Sequence, residues 1–289
     1  MARKKKIEGF DVFNIIILGI LMLAVIMPFY YTTVKSFMTE REYVHGGLLL
    51  WPKDFTWINY EQVFAAKSLI RSFFNTLINV VLGVTYSMFL TTTLAYGLSK
   101  KGYPGRNLFQ LLIVFTMFFS GGLIPFFLLV KSLGLIGSRF SIILPMGLSV
   151  FNMIIMRNFF EQLPHELEEA AEIDGASPLR IFIQIELPLV KPVIATLVLF
   201  YSVDRWNEWF YASLFLPNSR LWPIQLQLRQ ILQVTRQFMK DIPSEAGLQP
   251  FSEGLKASAM VITMVPIMLV YPFLQRYFVK GVMIGAIKS

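Results

Sequence analysis

Six long apolar runs, separated by short charged segments, dominate this chain. Five of them contain no Asp, Glu, Lys or Arg, and the sixth is interrupted by Asp204, Arg205 and Glu208. About 20 apolar residues in a helix span the hydrocarbon core of a bilayer. Only helices and closed barrels satisfy the backbone in lipid, and these runs lack the alternation of barrel strands. The sequence therefore predicts an all-α, polytopic membrane protein with six transmembrane helices. The runs are Val12–Val34, Ser72–Ser99, Asn107–Val130, Phe140–Met156, Pro192–Leu216 and Ala257–Gln275.

The composition agrees with a membrane protein and excludes several classes of site. Only 15% of the 289 residues are charged, against about 25% in an ordinary soluble domain. The absence of cysteine excludes a disulfide framework, a thiol nucleophile, an iron–sulfur cluster and a cysteine-ligated zinc site. The first run is far longer than the apolar core of a signal peptide, and it has no small-residue cleavage site near Met27-Pro28. We expect it to remain as a membrane anchor.

The net charge of +8 is mainly a topology signal. Basic residues cluster before the first run, in the short second loop and after the last run, and such clusters are typical of the cytoplasmic side. Both termini are therefore predicted to be cytoplasmic, and the basic excess does not require a nucleic-acid partner because no recognition motif accompanies it. The residues concerned are Arg3, Lys4, Lys5, Lys6, Lys100, Lys101, Arg106, Arg276, Lys280 and Lys288.

The loop between the fourth and fifth runs, residues 157–191, is acidic although it should be cytoplasmic. Its local pattern predicts two short helices. The first begins at Pro164 and ends at Asp174-Gly175; the second begins at Ser177-Pro178 and stops at Leu187-Pro188. One face of the first helix, formed by Leu167, Ala170, Ala171 and Asp174, is predicted to be a flat docking surface for another protein. The seven acidic residues of the loop are Glu161, Glu166, Glu168, Glu169, Glu172, Asp174 and Glu186.

The segment EAAEIDGASPLRIFIQIELP, Glu169 to Pro188, resembles the cytoplasmic signature of bacterial ABC-importer permease subunits. The resemblance extends over nearly the whole chain. FFSGGLIPFFLLVKSLGL and the C-terminal QRYFVKGVMIGAIKS are similar to the carbohydrate branch, in particular to second permease subunits of maltose-type and acidic-oligosaccharide importers. The signature positions are Glu169, Ala170, Ala171, Gly175, Ile185, Leu187 and Pro188.

The resemblance implies that the loop is a coupling helix seated in a cleft of a cytoplasmic ATPase, whose closure on ATP switches the transmembrane helices from inward-facing to outward-facing. Glu169 would pair with a basic group of the ATPase, Asp174 would lie at the acidic rim, Gly175 would allow a sharp turn, and Ala170 and Ala171 would permit close approach. The implied partners are a homologous second permease, two ATPase subunits, an extracytoplasmic solute-binding protein, an oligosaccharide and membrane lipid. The chain lacks a phosphate-binding Gly-x-x-x-x-Gly-Lys motif, so we expect ATP and Mg²⁺ in the ATPase subunits and no cofactor or enzymatic activity here.

These expectations divide the chain into three parts in the bacterial cytoplasmic membrane. Residues 1–11 and 280–289 are cytoplasmic tails, and residues 12–279 are the permease domain. Within that domain, residues 71–279 form the core that resembles the family, and residues 163–187 form the coupling loop. The outer segments Ser36 to Arg71 and Pro217 to Leu255 are expected to help dock the binding protein.

The fifth run carries the candidate substrate pathway. Polar side chains inside a span cost roughly 2.5–3.5 kcal/mol each, so they are functional by default. Planar polar groups and aromatic faces also suit sugars, and Arg205 is a candidate for receiving a uronate carboxylate. The alternative is an interfacial aromatic belt in which Arg205 and Glu208 pair facing water. The candidates are Tyr201, Asp204, Arg205, Trp206, Asn207, Glu208, Trp209 and Tyr211.

Two further groups of residues leave alternatives open. Gly121 and Gly122, followed by Pro125, should open or kink the third helix, where they either line the pathway or allow close helix packing. Asn75, Thr76, Asn79 and Thr85 of the second helix either line a cavity or make packing contacts between helices, which is the favoured interpretation.

Two other classes of protein compete with the importer permease. A self-contained secondary carrier or channel is disfavoured by the coupling loop. An intramembrane enzyme is disfavoured because His165-Glu166 lacks the second His of a zinc-binding His-Glu-x-x-His motif, so no metal site is predicted.

Overall fold

A computed structural model describes residues 9–45, 47, 50–100, 102, 104–234 and 251–286. The predicted basic residues Arg3–Lys6, Lys101 and Lys288 lie outside these ranges. Within them every regular element is a helix, as predicted. The longer α-helices are α1 Gly9–Ser36, α3 Ile58–Ala65, α4 Lys67–Ser99, α5 Arg106–Phe118, α6 Leu123–Ser132, α8 Val150–Glu161, α9 His165–Ile173, α12 Lys191–Trp206, α14 Ile224–Gln233 and α15 Ser252–Ala286. The shorter elements are α2 Glu40–His45, α7 Phe140–Ile143, α10 Pro178–Ile181, a π-helical turn Phe182–Glu186, α11 Leu187–Leu189, α13 Phe210–Phe215 and a 3₁₀ turn Ser219–Leu221.

Three helices of the described chain are long and apolar enough to cross a membrane, namely α1, α4 and the segment Ser252–Val270 of α15. Two bent pairs raise the number to as many as five if each pair is one span. The helices of the first pair, α5 and α6, meet at 115°, and the segment Pro178–Leu189 meets α12 at 81°. The fourth predicted run differs most, because α7 and α8 leave residues 144–149 between them outside any helix. Pro145 and Gly147 in this interval explain the interruption, since both disfavour helix. The six-span count stays a prediction.

The chain separates into two compact units, one of residues 1–67 and 228–265, the other of residues 68–227 and 266–289. In the first unit, the Asn59 amide donates to the carbonyl oxygens of Ser36 and Met38 at 3.0 and 2.9 Å. Lys35 pairs with Glu253 at 2.6 Å. These contacts hold the end of α1 against α3 and the start of α15.

The second unit contains two clusters of buried apolar side chains. One joins the end of α4 to α8 and α12 through residues such as Leu98, Met156 and Leu197. The other joins α6, α7 and α13 through residues such as Val130, Ile142 and Phe215. All the candidate site residues belong to this second unit.

Candidate functional site: a coupling loop and a polar helix end

The first helix of the acidic loop, α9, forms as predicted. It follows Pro164 and ends before Asp174. Gly175 has φ +79°, and its N–H donates to the Glu172 carbonyl at 2.9 Å while the Ala176 N–H donates to the Ala171 carbonyl at 2.9 Å. These two bonds form a Schellman motif, in which a glycine takes a left-handed conformation and satisfies the last carbonyls of the helix. The sharp turn inferred for Gly175 is confirmed.

The second helix of the loop begins as predicted but does not stop at Leu187-Pro188. Ser177 caps α10, accepting a hydrogen bond from the Arg180 N–H, and the chain then continues through the π-helical turn into α11. The Leu187 N–H donates to the Phe182 carbonyl, five residues back. Proline lacks an N–H and its ring collides with the carbonyl four residues earlier. A wider turn immediately before Pro188 relieves that collision, so the helix passes the proline and breaks at Val190 instead.

The predicted docking face of α9 is exposed at Leu167, Ala170 and Asp174, as expected, but not at its fourth residue. Glu169, Ala170 and Asp174 are exposed, but Ala171 is buried against its own chain with 8% of its surface accessible. Ile173, which no sequence motif marks, is 87% exposed. Glu169, Ala170 and Ile173 lie three and four residues apart and therefore share one side of the helix. Farther along, Ile185 and Leu187 are half-buried and Pro188 is exposed.

Three of the seven acidic residues of the loop are paired within the chain. Lys100 contacts Glu168 at 2.8 Å and Glu186 at 2.6 Å, and Glu161 pairs with both Arg106 and Arg157. The other four acids are all exposed, namely Glu166, Glu169, Glu172 and Asp174.

Lys100 therefore ties the end of α4 to both halves of the loop. Partial burial lowers the pKa of Lys100, but hydrogen bonds to Glu168 and Glu186 outweigh this effect and raise the pKa above its usual value of 10.5. The ammonium also lies 4.6 Å from the centroid of the Tyr96 ring. A cavity of about 50 Å³, lined among others by Lys100, His165 and Glu186, lies beneath α9. Lys100 is thus charged throughout the physiological pH range and holds the base of the loop.

The structure divides the candidate pathway residues by their exposure. Tyr201, Arg205 and Trp206 are buried, whereas Asp204 and Asn207 are exposed and Glu208, Trp209 and Tyr211 are half-buried. The polar sequence around Trp206 and Trp209 coincides with a break, because α12 ends at Trp206 and α13 starts at Phe210. Glu208 lies in that break and accepts a hydrogen bond from the Tyr211 N–H at 2.9 Å.

Arg205 does not face water, so the alternative of a water-facing pair with Glu208 is wrong. The Arg205 side chain is buried, and its guanidinium donates to the carbonyl oxygens of Ile142 at 2.6 Å and Met146 at 2.5 Å. The Tyr201 hydroxyl, four residues earlier, hydrogen-bonds Thr91 at 2.7 Å and accepts from the Ser149 N–H at 3.1 Å. The sequence did not reveal these contacts, because a polar residue in an apolar run does not identify its tertiary partner.

Gly121 and Gly122 lie at the predicted break of the third helix, between α5 and α6. Gly122 has φ +92° and ψ 165°, a region that is essentially restricted to glycine. A Cβ added at Gly121 would meet nothing within 4 Å in the described part of the chain, and one at Gly122 would meet only Pro125, at 3.9 Å. Backbone conformation at Gly122, rather than helix packing within the chain, explains the break.

The polar residues of α4 make packing contacts, which confirms the favoured interpretation for three of the four. Asn75 donates to the carbonyl oxygens of Arg220 and Trp222 at 2.8 and 3.2 Å, and Thr76 accepts from the Ile224 N–H at 2.7 Å. Arg139 donates to Asn79 at 2.8 Å, and burial lowers the pKa of its guanidinium from its usual range.

The fold defines a class: a helical membrane protein in which the short helix α9, exposed along most of its length, lies between apolar segments. Residues 63–284 match the family described as the binding-protein-dependent transport system inner membrane component. The chain belongs to this family of membrane-embedded transport permeases.

Two relatives and one solved structure indicate the branch of the family. The chain is 44% identical to the protein LplC of Bacillus subtilis over 100% of this chain and 98% of LplC. It is 41% identical to the polygalacturonan/rhamnogalacturonan transport system permease YtcP of the same bacterium, over 96% and 98% of the two chains. A crystal structure of a bacterial ABC transporter involved in the import of the acidic polysaccharide alginate matches with a TM-score of 0.86 and 32% identity, covering 96% of this chain and 99% of that chain. The resemblance to carbohydrate-importer permeases is confirmed.

Proposed function

We propose that this chain is a permease subunit of an ATP-driven importer that moves oligosaccharides, including acidic ones such as uronate oligomers, across the cytoplasmic membrane by alternating access. One relative is named for polygalacturonan and rhamnogalacturonan transport, and the similar solved structure for import of an acidic polysaccharide. These names support the substrate class, and membership of a binding-protein-dependent family supports an extracytoplasmic binding protein as a partner.

The exposed face of α9 is the single observation that carries the proposed mechanism. Glu169, Ala170 and Ile173 combine a carboxylate, a small side chain and an 87% exposed isoleucine on one side of a rigidly terminated helix. A single exposed apolar residue is common on protein surfaces, so the docking role rests on the fact that this face also carries Glu169 and Ala170 of the permease signature. We assign this face, with Asp174 and Gly175 at its end, to contact with a cytoplasmic ATPase. Ile185, Leu187 and Pro188 connect it to α12, and Ala171 supports it from within.

The remaining parts of the proposal concern the assembly and the substrate route. Six spans with both termini in the cytoplasm, a homologous second permease and two ATPase subunits complete the importer. ATP and Mg²⁺ bind in the ATPases, and this chain contributes no cofactor site. We assign the exposed and half-buried polar residues near the end of α12, together with the break between α5 and α6, to the substrate route. These residues are Asp204, Asn207, Glu208, Trp209, Tyr211, Gly121 and Gly122.

The coupling assignment is tested by reversing the charge of Glu169. Glu169→Lys should reduce ATP-dependent uptake to background while membrane insertion stays normal, because Glu169 is exposed on the docking face. The matched control is Glu172→Lys, an exposed acid of the same helix outside the signature, which should retain most of the uptake. Uptake by Glu169→Lys at the level of this control would refute the assignment.

The substrate class is tested in proteoliposomes that contain the complete transporter and its binding protein. We expect uptake of oligogalacturonates to exceed uptake of their methyl esters, which have the same chain length but no carboxylate charge. Equal uptake rates for the two substrates would show that the transporter does not select for carboxylate charge. The proposed substrate class would then be oligosaccharides in general. Uptake without ATPase subunits would favour the secondary carrier.

A further inference from the structure

Arg205 is a cation that is buried among residues of its own chain. Its guanidinium donates to the carbonyl oxygens of Ile142 and Met146 at 2.6 and 2.5 Å and approaches the Ser87 hydroxyl at 3.4 Å. Only 4% of its surface is accessible. A charge in this position is costly unless several hydrogen bonds compensate it. These contacts direct the arginine to the protein backbone and away from solvent.

The two carbonyl groups belong to the end of α7 and to the interval that separates α7 from α8. The last carbonyls of a helix have no partner inside it, and an unpaired buried backbone group destabilises the fold. Ser149, the N-cap of α8, uses its side chain to accept from Asn152 and its N–H to donate to the Tyr201 hydroxyl at 3.1 Å. Tyr201 and Arg205 therefore satisfy backbone groups at both ends of the break.

The same two side chains also contact α4. Tyr201 hydrogen-bonds Thr91 at 2.7 Å, and Arg205 reaches Ser87, one turn away on the same helix. A Cβ added at Gly83, one further turn along, would lie 3.0 Å from Arg205 Nε and 3.1 Å from its Cδ. Because Gly83 has no side chain, the Arg205 side chain can pack directly against this part of α4.

We propose that Tyr201 and Arg205 form a clamp that joins α12 to α4 and to the break between α7 and α8, and that they are positioning residues rather than substrate ligands. The inference rests on the proposed transport function. α12 starts at Lys191, shortly after the coupling loop, and Arg205 lies about 21 Å along it at 1.5 Å per residue. The clamp therefore connects the end of α12 that is distant from the loop to α4 and to the break between α7 and α8. When the loop moves, these hydrogen bonds transmit the movement of α12 to both elements.

The clamp predicts a defect in transport rate without a defect in substrate affinity. Arg205→Met keeps a long side chain but donates no hydrogen bond, and Tyr201→Phe removes only a hydroxyl. In proteoliposomes with the complete transporter, each should lower maximal uptake per complex, by about tenfold for Arg205→Met. The KM for the loaded binding protein should stay within about twofold of wild type, because these residues do not touch substrate.

Two variants separate the clamp from a general packing effect. Ser202→Ala removes the hydroxyl next to Tyr201, which in the described part of the chain bonds to the Val198 carbonyl of its own helix at 2.6 Å, and should leave uptake unchanged. Gly83→Ala should lower maximal uptake in the same direction but less than Arg205→Met, because its methyl group would lie 3.0 Å from Arg205 Nε and push that side chain by a few tenths of an ångström. In the double variant Gly83→Ala/Arg205→Met the losses should be less than multiplicative, since both changes act on the contacts of the same side chain.

Substrate charge distinguishes the clamp from a carboxylate-binding role. If Arg205 binds a uronate, Arg205→Met will raise the KM for oligogalacturonates several-fold and spare their methyl esters; that result overturns the inference. Normal maximal uptake in Tyr201→Phe and Gly83→Ala also overturns it, even if Arg205→Met does not assemble. If the unmodified chain supports no ATP-dependent uptake, the proposed transport function itself fails.

Discussion

Residues of the permease signature in the acidic loop differ in how far they are buried. Ala170 and Ala171 are neighbours and both small, yet Ala170 is exposed and Ala171 is buried. Successive residues of a helix differ by about 100° in direction, so one can meet a partner while the next packs inside the chain. At the residue scale the signature therefore includes both an exposed position, which the proposed function assigns to docking, and a buried position that packs beneath it.

Gly175 offers the sharpest residue-scale test of the loop. Its φ of +79° is a conformation that costs a side-chain-bearing residue roughly 1–2 kcal/mol. Gly175→Val should therefore loosen the end of α9 and lower coupled uptake several-fold, measured together with ATPase stimulation by the loaded binding protein.

Gly175→Asn is the control for that substitution. Asparagine adopts the left-handed conformation more readily than other residues, so this variant should retain most of the activity of the wild type. Equal losses for the valine and asparagine variants would contradict a conformational role and indicate that the ATPase requires the absence of a side chain.

At the scale of secondary-structure elements, the polar side chains of the apolar runs lie close to breaks between consecutive helices. α5 and α6, α7 and α8, and α12 and α13 are each separated by a short non-helical interval. Glycine or proline lies in the first two intervals, and the polar sequence Asn207-Glu208 lies in the third. Free backbone groups at such breaks need partners, and the contacts of Arg205, Tyr201 and Glu208 supply several of them. Polar residues in the apolar runs thus stabilise interrupted helices.

The break between α5 and α6 can be tested by stability. Gly122→Ala should lower the thermal stability of the purified complex, because its φ of +92° and ψ of 165° cost a non-glycine residue about 1–3 kcal/mol. Gly121→Ala should leave stability nearly unchanged, since its new methyl group would meet nothing within 4 Å. Equal melting temperatures for the two variants would show that the break tolerates another backbone conformation.

Substitution of Lys100 tests whether its ion pairs at the end of α4 stabilise the coupling loop. Its two ion pairs involve Glu168, with a side chain 20% exposed, and Glu186, with a side chain 7% exposed. Exposed pairs contribute about 0–1 kcal/mol, whereas removing one partner of a buried pair is more damaging. Lys100→Met should therefore accelerate proteolysis of residues 163–187 and reduce uptake.

A charge exchange provides the control for the Lys100 prediction. Lys100→Glu alone places three carboxylates together and should be worse than Lys100→Met. Lys100→Glu/Glu168→Lys restores an opposite pair and should recover part of the protease resistance. Failure of this double variant to improve on Lys100→Glu would contradict an electrostatic role for the pairing.

At the scale of the whole molecule, the sequence predicted elements better than contacts. The all-helical class, α1, α4, α9 and the break at Gly122 follow from apolar length, caps and glycine, which are local properties. The continuation of helix past Pro188 and the division of the fourth run depend on how neighbouring turns accommodate a proline. The partners of Arg205 lie 59 and 63 residues away in sequence, and no local pattern specifies them.

Membrane orientation is the prediction that belongs to the whole chain, and its lack of cysteine makes the test direct. Ile173 and Leu133 are 87% and 61% exposed, and the distribution of basic residues predicts opposite sides of the membrane for them. With a membrane-impermeant maleimide, intact cells should show labelling of Leu133→Cys and none of Ile173→Cys. Permeabilised cells should show labelling of both, unless an ATPase covers Ile173. Labelling of Ile173→Cys from outside would invert the topology and place the proposed coupling face beyond the reach of any cytoplasmic ATPase.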